Sequence, residues 1–142
     1  MGHVMLFDTA GIDDTSALGS RRIEKTHKAF DSSDIVILMC ETGKFDNFEE
    51  NIVRGAGKRK TPCVIAVSKA DLKQPDGMFL EKLKKHTKYV MLFSGVSGNR
   101  DDFFNALKKN LLEALSDNYI GNFLTLRNIR LFQQFTLQIN PT

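Results

Sequence analysis

Three short polar clusters each follow an apolar run: Asp8-Thr9-Ala10-Gly11, Ser68-Lys69-Ala70-Asp71 and Ser94-Gly95-Val96-Ser97-Gly98. Each offers a different chemistry. A carboxylate at a strand's end, such as Asp8, can hold Mg²⁺ through water, and the backbone N–H of Gly11 can meet a terminal phosphate because no Cβ stands in the way. Asp71 can accept two hydrogen bonds from the N1–H and N2–H₂ of guanine, a donor pair that adenine lacks. The apolar stem of Lys69 can cover a purine face while its charged head stays in water. Backbone N–H groups of the loop Ser94, Gly95, Val96 can donate to guanine O6. Alone, D-x-x-G is more often a strand end and a turn than a site, so the weight lies in the three clusters together.

Such residues converge only if strands position them. The run 35–40, Ile-Val-Ile-Leu-Met-Cys, is apolar throughout and bounded by turn residues, as expected of a central strand buried on both faces. Residues 3–7, 63–67 and 89–93 give further short strands. Between them, residues 20–30, 48–55, 78–85 and 100–115 have helical character. The last carries Phe103, Phe104, Leu107, Leu111, Leu112 and Leu115 on one stripe, with Asp101 and Asp102 in the first turn, where the helix dipole favours them. Alternation of this kind predicts βα units, a parallel sheet and an α/β fold in three α/β/α layers. In open α/β sheets ligands bind beyond the carboxyl ends of the strands, and all three clusters sit at such ends.

Composition narrows the class. The 142 residues are 42% hydrophobic and 26% charged, with a net charge of +3 and a pI of about 8.9. That is an ordinary globular mixture, mildly basic, and without the stacking platform or groove-reading motif of a nucleic-acid binder. The lysine-rich stretches Lys58-Arg59-Lys60 and Lys82, Lys84, Lys85 read as solvated helix faces. No apolar run approaches the length of a membrane span and no signal peptide is evident, which predicts a soluble intracellular protein. Cys40 and Cys63 lie inside apolar runs and behave as small buried hydrophobes.

The order and spacing of the clusters resemble the G domain of the translation-factor-related GTPases, a P-loop NTPase class with the patterns D-x-x-G, [NT]-K-x-D and S-A-x. Within it, Asp8-Thr9-Ala10-Gly11-Ile12-Asp13-Asp14, Leu18-Gly19 and Arg22-Ile23-Glu24-Lys25-Thr26 are most similar to the GTPase domain of the FeFe-hydrogenase maturation proteins (HydF). The tRNA-modification GTPases share D-T-A-G-I. The resemblance covers residues 3–115. It implies GTP or GDP bound at Asp8, Thr9, Ala10, Gly11, Ser68, Lys69, Asp71, Ser94, Gly95 and Val96, with Mg²⁺ held by Asp8 through water. It also implies K⁺ as a charge supplement, and other hydrogenase maturation proteins as partners. The alternative is a degenerate G domain serving as an interaction module. No cluster-ligating cysteines accompany the domain, so no iron–sulfur cluster is expected on this chain.

Three positions depart from the class. Ser68 replaces Asn or Thr, Gly95 replaces Ala, and Ile12 stands where Ras-like enzymes carry a water-orienting glutamine. The phosphate-binding G-x-x-x-x-G-K-[ST] is absent: Gly43-Lys44 leads to Phe45 and Gly57-Lys58 to Arg59. Residues 1–116 therefore read as a partial G domain, incomplete at the N-terminus, with 117–142 as a tail or connector and turnover slow or absent alone. In this fold the first strand lies mid-sheet, between the strand ending at Asp8 and the one ending near Cys40. Without it, two apolar edges would face a gap, unless another segment fills it. The tail is the candidate, through Leu124, Leu126, Ile129 and Leu131 or through the alternating stretch 135–139.

Overall fold

Strand β2, Ile35–Glu41, is the axis of the sheet. Its side chains alternate between two apolar faces, as period-two geometry requires. Val36, Leu38 and Cys40 face one core with Cys63, Ile65 and Val67 of β3, Cys63–Ser68. Ile35 and Ile37 face the other with Val64 and Ala66 of β3. Being covered on both sides is what makes these strands continuous apolar runs. The computed structural model describes residues 5–10, 33–94, 100–118 and 128–133.

Helix α1, Asn47–Lys58, closes the first face with Ile52, Val53 and Ala56. Its start is fixed by the backbone N–H of Asp46 donating to Glu49 Oε2 at 2.9 Å, one arm of a capping box. Glu49 is 1% exposed, and its Oε1 has no hydrogen-bond partner. Helix α2, Gly77–Lys84, adds Leu83 to the same core, and Asp76 caps it by accepting from the Phe79 N–H at 2.7 Å. On the other face lies α3, Arg100–Asn118, which buries Leu111, Ala114 and Leu115 against the sheet and against Tyr89 and Met91. Strand β4, Val90–Leu92, pairs with β3.

The expected stripe on α3 splits. Phe103, Leu107, Leu111 and Leu115 follow the line toward the core, but Phe104 is 55% exposed and Leu112 45% exposed. Residues 104 and 112 are each one step, about 100° of turn, from the core line. The Phe103 ring instead meets Phe93 at 4.2 Å, which anchors the helix start beside the end of β4. Lys82 is likewise more than a solvated residue: its ammonium donates to the Phe45 carbonyl at 2.6 Å and pairs with Glu50 at 3.2 Å.

The sheet has five strands in the order β1-β5-β2-β3-β4, with β1 at Met5–Ala10 and β5 at Asn128–Gln133. Every pair is parallel. A tail strand thus occupies the gap expected beside β2. Ile129 lies opposite Leu6 on one side and Ile35 on the other; Leu131 lies opposite Asp8 and Ile37. Leu124, Leu126 and residues 135–139 lie outside the described residues, as do the predicted helix 20–30 and the loop before it. No helix among the described residues is long and apolar enough to cross a membrane.

Burial pushes the thiols of Cys40 and Cys63 up to about 12, from an ordinary value of 9.0. The Glu49 carboxylate adds to the rise at Cys40, and Cys40 itself to that at Cys63, where a backbone hydrogen bond opposes it slightly. The thiolate fraction of each should then be about a thousandfold below that of the unfolded chain near neutral pH. Reaction with a chromogenic disulfide at about pH 8 should be slow by at least that factor in the native protein and fast in denaturant. Rapid native labelling of either cysteine would contradict the buried packing.

Candidate functional site

Because all strands run the same way, their carboxyl ends share one edge. Asp8, Thr9 and Ala10 close β1, and Ala10 lies opposite Gln133 of β5, which lies opposite Met39 of β2. Glu41, the last residue of β2, lies opposite Ser68, the last of β3. Val67 lies opposite Leu92 of β4, which Phe93 and then Ser94 follow. Residues 8–10, residues 68–71 and Ser94 therefore fall along this edge, with β1 and β3 three strand spacings apart, about 14 Å. Gly11, Gly95 and Val96 lie outside the described residues, together with Ser97 and Gly98.

The loop after β3 is tied on both sides. The Ser68 hydroxyl donates to the Cys40 carbonyl at 3.1 Å, while the N–H and hydroxyl of Thr42 each donate to the Ser68 carbonyl at 3.3 Å. The serine hydroxyl thus ties the end of β3 to the end of β2. Phe93 N–H donates to Val67 O at 2.7 Å and Ala70 N–H to Phe93 O at 3.4 Å, which joins the loop to the end of β4. Leu72 N–H and Lys73 N–H both return to the Lys69 carbonyl, at 3.1 and 3.2 Å. Asp71 stands exposed in this turn. Among the described residues its carboxylate makes no hydrogen bond or ion pair, so it is available to an outside donor.

One residue at this edge is missing from the sequence-based set. Glu41 is 7% exposed, yet charged. A carboxylate at that depth requires partners, and it has two: Lys44 at 2.6 Å and, closer still, Lys69. Hydrogen bonds from Lys44 and then Lys69 hold its pKa below the ordinary glutamate value of 4.5, against the opposing effect of burial. The signal was present in the sequence. Glu41 ends an apolar run as Asp8 does. Around it, Thr42, Gly43, Lys44, Lys69, Leu72 and Lys73 line a cleft of about 320 Å³. Gly43 turns the chain there at φ +81°, and the Lys73 ammonium lies close enough to crowd any added Cβ.

A depressed carboxylate has a definite sign. Glu41 stays ionised in the folded protein at pH values where the unfolded chain already takes up a proton, so it adds stability above the ordinary glutamate value. That contribution fades as pH falls through the lower folded value. Urea midpoints followed from about pH 6 to about pH 3 should fall more steeply for the wild type than for Glu41→Gln. Parallel curves would show that the pairs add nothing to folding.

With the three strand ends aligned, the comparisons with known proteins take on meaning. The chain is similar to tRNA modification GTPases. It is 35% identical over 99 residues to tRNA modification GTPase MnmE of Helicobacter acinonychis (strain Sheeba), covering 64% of this chain and 21% of that relative. It is 33% identical over 90 residues to the MnmE of Helicobacter pylori (strain Shi470), covering 61% and 20%. The chain thus spans about a fifth of the length of these curated relatives. No family model and no solved structure matches it. The α/β architecture with parallel strands agrees with a P-loop NTPase-like sheet. Among the described residues no group of three or more His, Cys, Asp or Glu could hold a metal ion by itself.

Proposed function

We propose that this chain binds a guanine nucleotide at the carboxyl edge of its sheet, as part of a G domain of the class that includes the tRNA modification GTPases. The observation that carries this reading is the tied loop after β3, which leaves Asp71 exposed one residue beyond the buried Ala70 and beside the clamped Lys69. Asp71 would accept from the guanine N1–H and N2–H₂, and the Lys69 stem would lie against the ring. Asp8, about 14 Å along the edge, would hold Mg²⁺ through water, with phosphate oxygens completing the ion's shell. Ser94, Gly95 and Val96 would border the base. Sequence similarity to two GTPases supports the same ligand class.

Phosphate grip is the weaker half. The strand beside β2 is β5, and the sequence after it, Gln134-Phe-Thr-Leu-Gln-Ile-Asn-Pro-Thr142, has no glycine or lysine with which to cradle a phosphate. We therefore expect base recognition without appreciable hydrolysis. Titration with fluorescent GDP, competed by GTP, ATP and inosine diphosphate in Mg²⁺ and K⁺, is the test. Strong competition by GDP and GTP, weaker competition by inosine diphosphate and none by ATP is the expected result. Equal competition by ATP would overturn the proposal. Binding of no nucleotide would favour an interaction module instead, for which the tail strand in mid-sheet is the structural argument.

The biological setting we propose is hydrogenase cofactor assembly, as a nucleotide switch engaging other maturation proteins. Its support is the likeness of residues 8–26 to the HydF GTPase domain, a stretch lying mostly outside the described residues. Loss of the gene should then lower FeFe-hydrogenase activity while leaving tRNA modification intact; the reverse result would assign the chain to the tRNA-modification branch.

A further inference from the structure

Lys69 sits at φ +57°, the left-handed region that residues with a side chain enter only at a cost. Such a conformation persists where its surroundings over-determine it. Here the residues before and after Lys69 are pinned by the bonds of Ser68, Thr42, Leu72 and Lys73 described above, so its Cα is fixed and its Cβ direction with it. Its long side chain is 53% exposed. Its ammonium donates to Glu41 Oε1, a group 28 residues earlier on the neighbouring strand. The stem is thereby drawn from the end of β3 across the end of β2, along the edge that carries Asp8 at its far side.

We infer that Glu41 is a positioning residue for guanine recognition: it holds the Lys69 ammonium so that the lysine's methylenes form a fixed apolar shelf for the base beside Asp71. Lys44 does not compete for this task. It pairs with Glu41 from within the same turn and neutralises the second carboxylate oxygen. Burial makes the arrangement stiff, since a carboxylate 7% exposed has little freedom of its own. The gain is pre-organisation: a lysine already ordered in the free protein loses less rotamer freedom when the base arrives.

The inference rests on the guanine-nucleotide proposal, and the test separates the two. GDP, ATP and inosine diphosphate affinities are measured for the full chain and for Glu41→Gln, Lys69→Met and the double variant, each checked for folding by thermal melting. Glu41→Gln should weaken GDP binding about three- to tenfold. Lys69→Met, which keeps an apolar stem but has no ammonium, should lose a similar factor. The double variant should be no weaker than Lys69→Met alone, because Glu41 acts only through that ammonium. Glu41→Asp, retaining the charge, should bind within about threefold of the wild type. Losses that multiply in the double variant, or GDP affinity unchanged in Lys69→Met, would overturn the positioning role while leaving guanine selectivity standing. Should Glu41→Gln fail to fold, Lys69→Met at its half-exposed site still decides the matter. A wild-type protein without preference for GDP would overturn both.

Discussion

Ile129→Pro is expected to break the sheet. Ile129 lies in β5 with β1 on one side and β2 on the other, opposite Leu6 and Ile35. Proline has no N–H for the ladder, and in a strand paired on both sides no edge exists where that loss meets water. Among the described residues β1 pairs only with β5, so the damage detaches Asp8 with its strand from the rest of the edge. The acceptor left unpaired in the ladder should alone cost about 1–3 kcal/mol, a large share of the roughly 5–15 kcal/mol that holds a domain of this size. Urea denaturation monitored by circular dichroism should show either a collapsed midpoint or a biphasic curve in which β2, β3 and β4 outlast β1. A midpoint within about 0.5 kcal/mol of the wild type would mean that the tail strand contributes little to the fold.

Asp71→Ala should remove guanine selectivity with almost no effect on stability. The side chain is exposed, and its carboxylate is engaged by no other described residue, so truncation should shift folding by less than about 0.5 kcal/mol. Each hydrogen bond to a charged acceptor contributes about 1.5–3 kcal/mol. Losing the pair should weaken GDP by at least about a hundredfold, since 1.4 kcal/mol corresponds to a factor of ten. Inosine diphosphate, lacking the 2-amino group, should already bind the wild type more weakly and lose less on substitution. ADP should be indifferent to it. If Asp71→Ala bound GDP as the wild type does, base recognition would have to come from elsewhere on the edge.

Much of this arrangement is legible in the residues themselves. The runs 35–40 and 63–67 declare buried strands because every position is apolar, and the structure extends each by one polar residue, Glu41 and Ser68. Those two added residues are where the site begins. Ends are hard to place because an apolar run stops where burial stops, while the hydrogen-bonded ladder continues one step into the polar edge. The same limit explains the first helix, predicted at 48–55 and found at Asn47–Lys58. Its flanking turns are polar and carry no periodic signal. The mid-sheet gap and its tail occupant follow from Ile129 and Leu131 together with the strand order that the class resemblance implies. Alternation alone could not choose between that segment and 135–139. On α3, a count of leucines and phenylalanines overstates the buried face because adjacent residues such as Phe103 and Phe104 cannot both point inward. Glu41 escapes notice for a different reason. It ends an apolar run as Asp8 does, but its partner Lys69 is 28 residues away, and no local pattern links those two.

Strand order also sets a timetable. β2, α1 and β3 are contiguous in the chain and build most of the first core, so they can associate as soon as they are synthesised. β1 precedes them in the chain but must wait: its described partner, Asn128–Gln133, lies beyond α3. Contacts between such distant segments form slowly, because the intervening chain must first be brought to order. During that interval residues 5–10 and one side of β2 present unpaired strand edges, which any extended peptide could occupy. A chaperone or a second nascent chain that masks those edges would therefore govern yield, and β5 would act as the latch that joins β1 to β2.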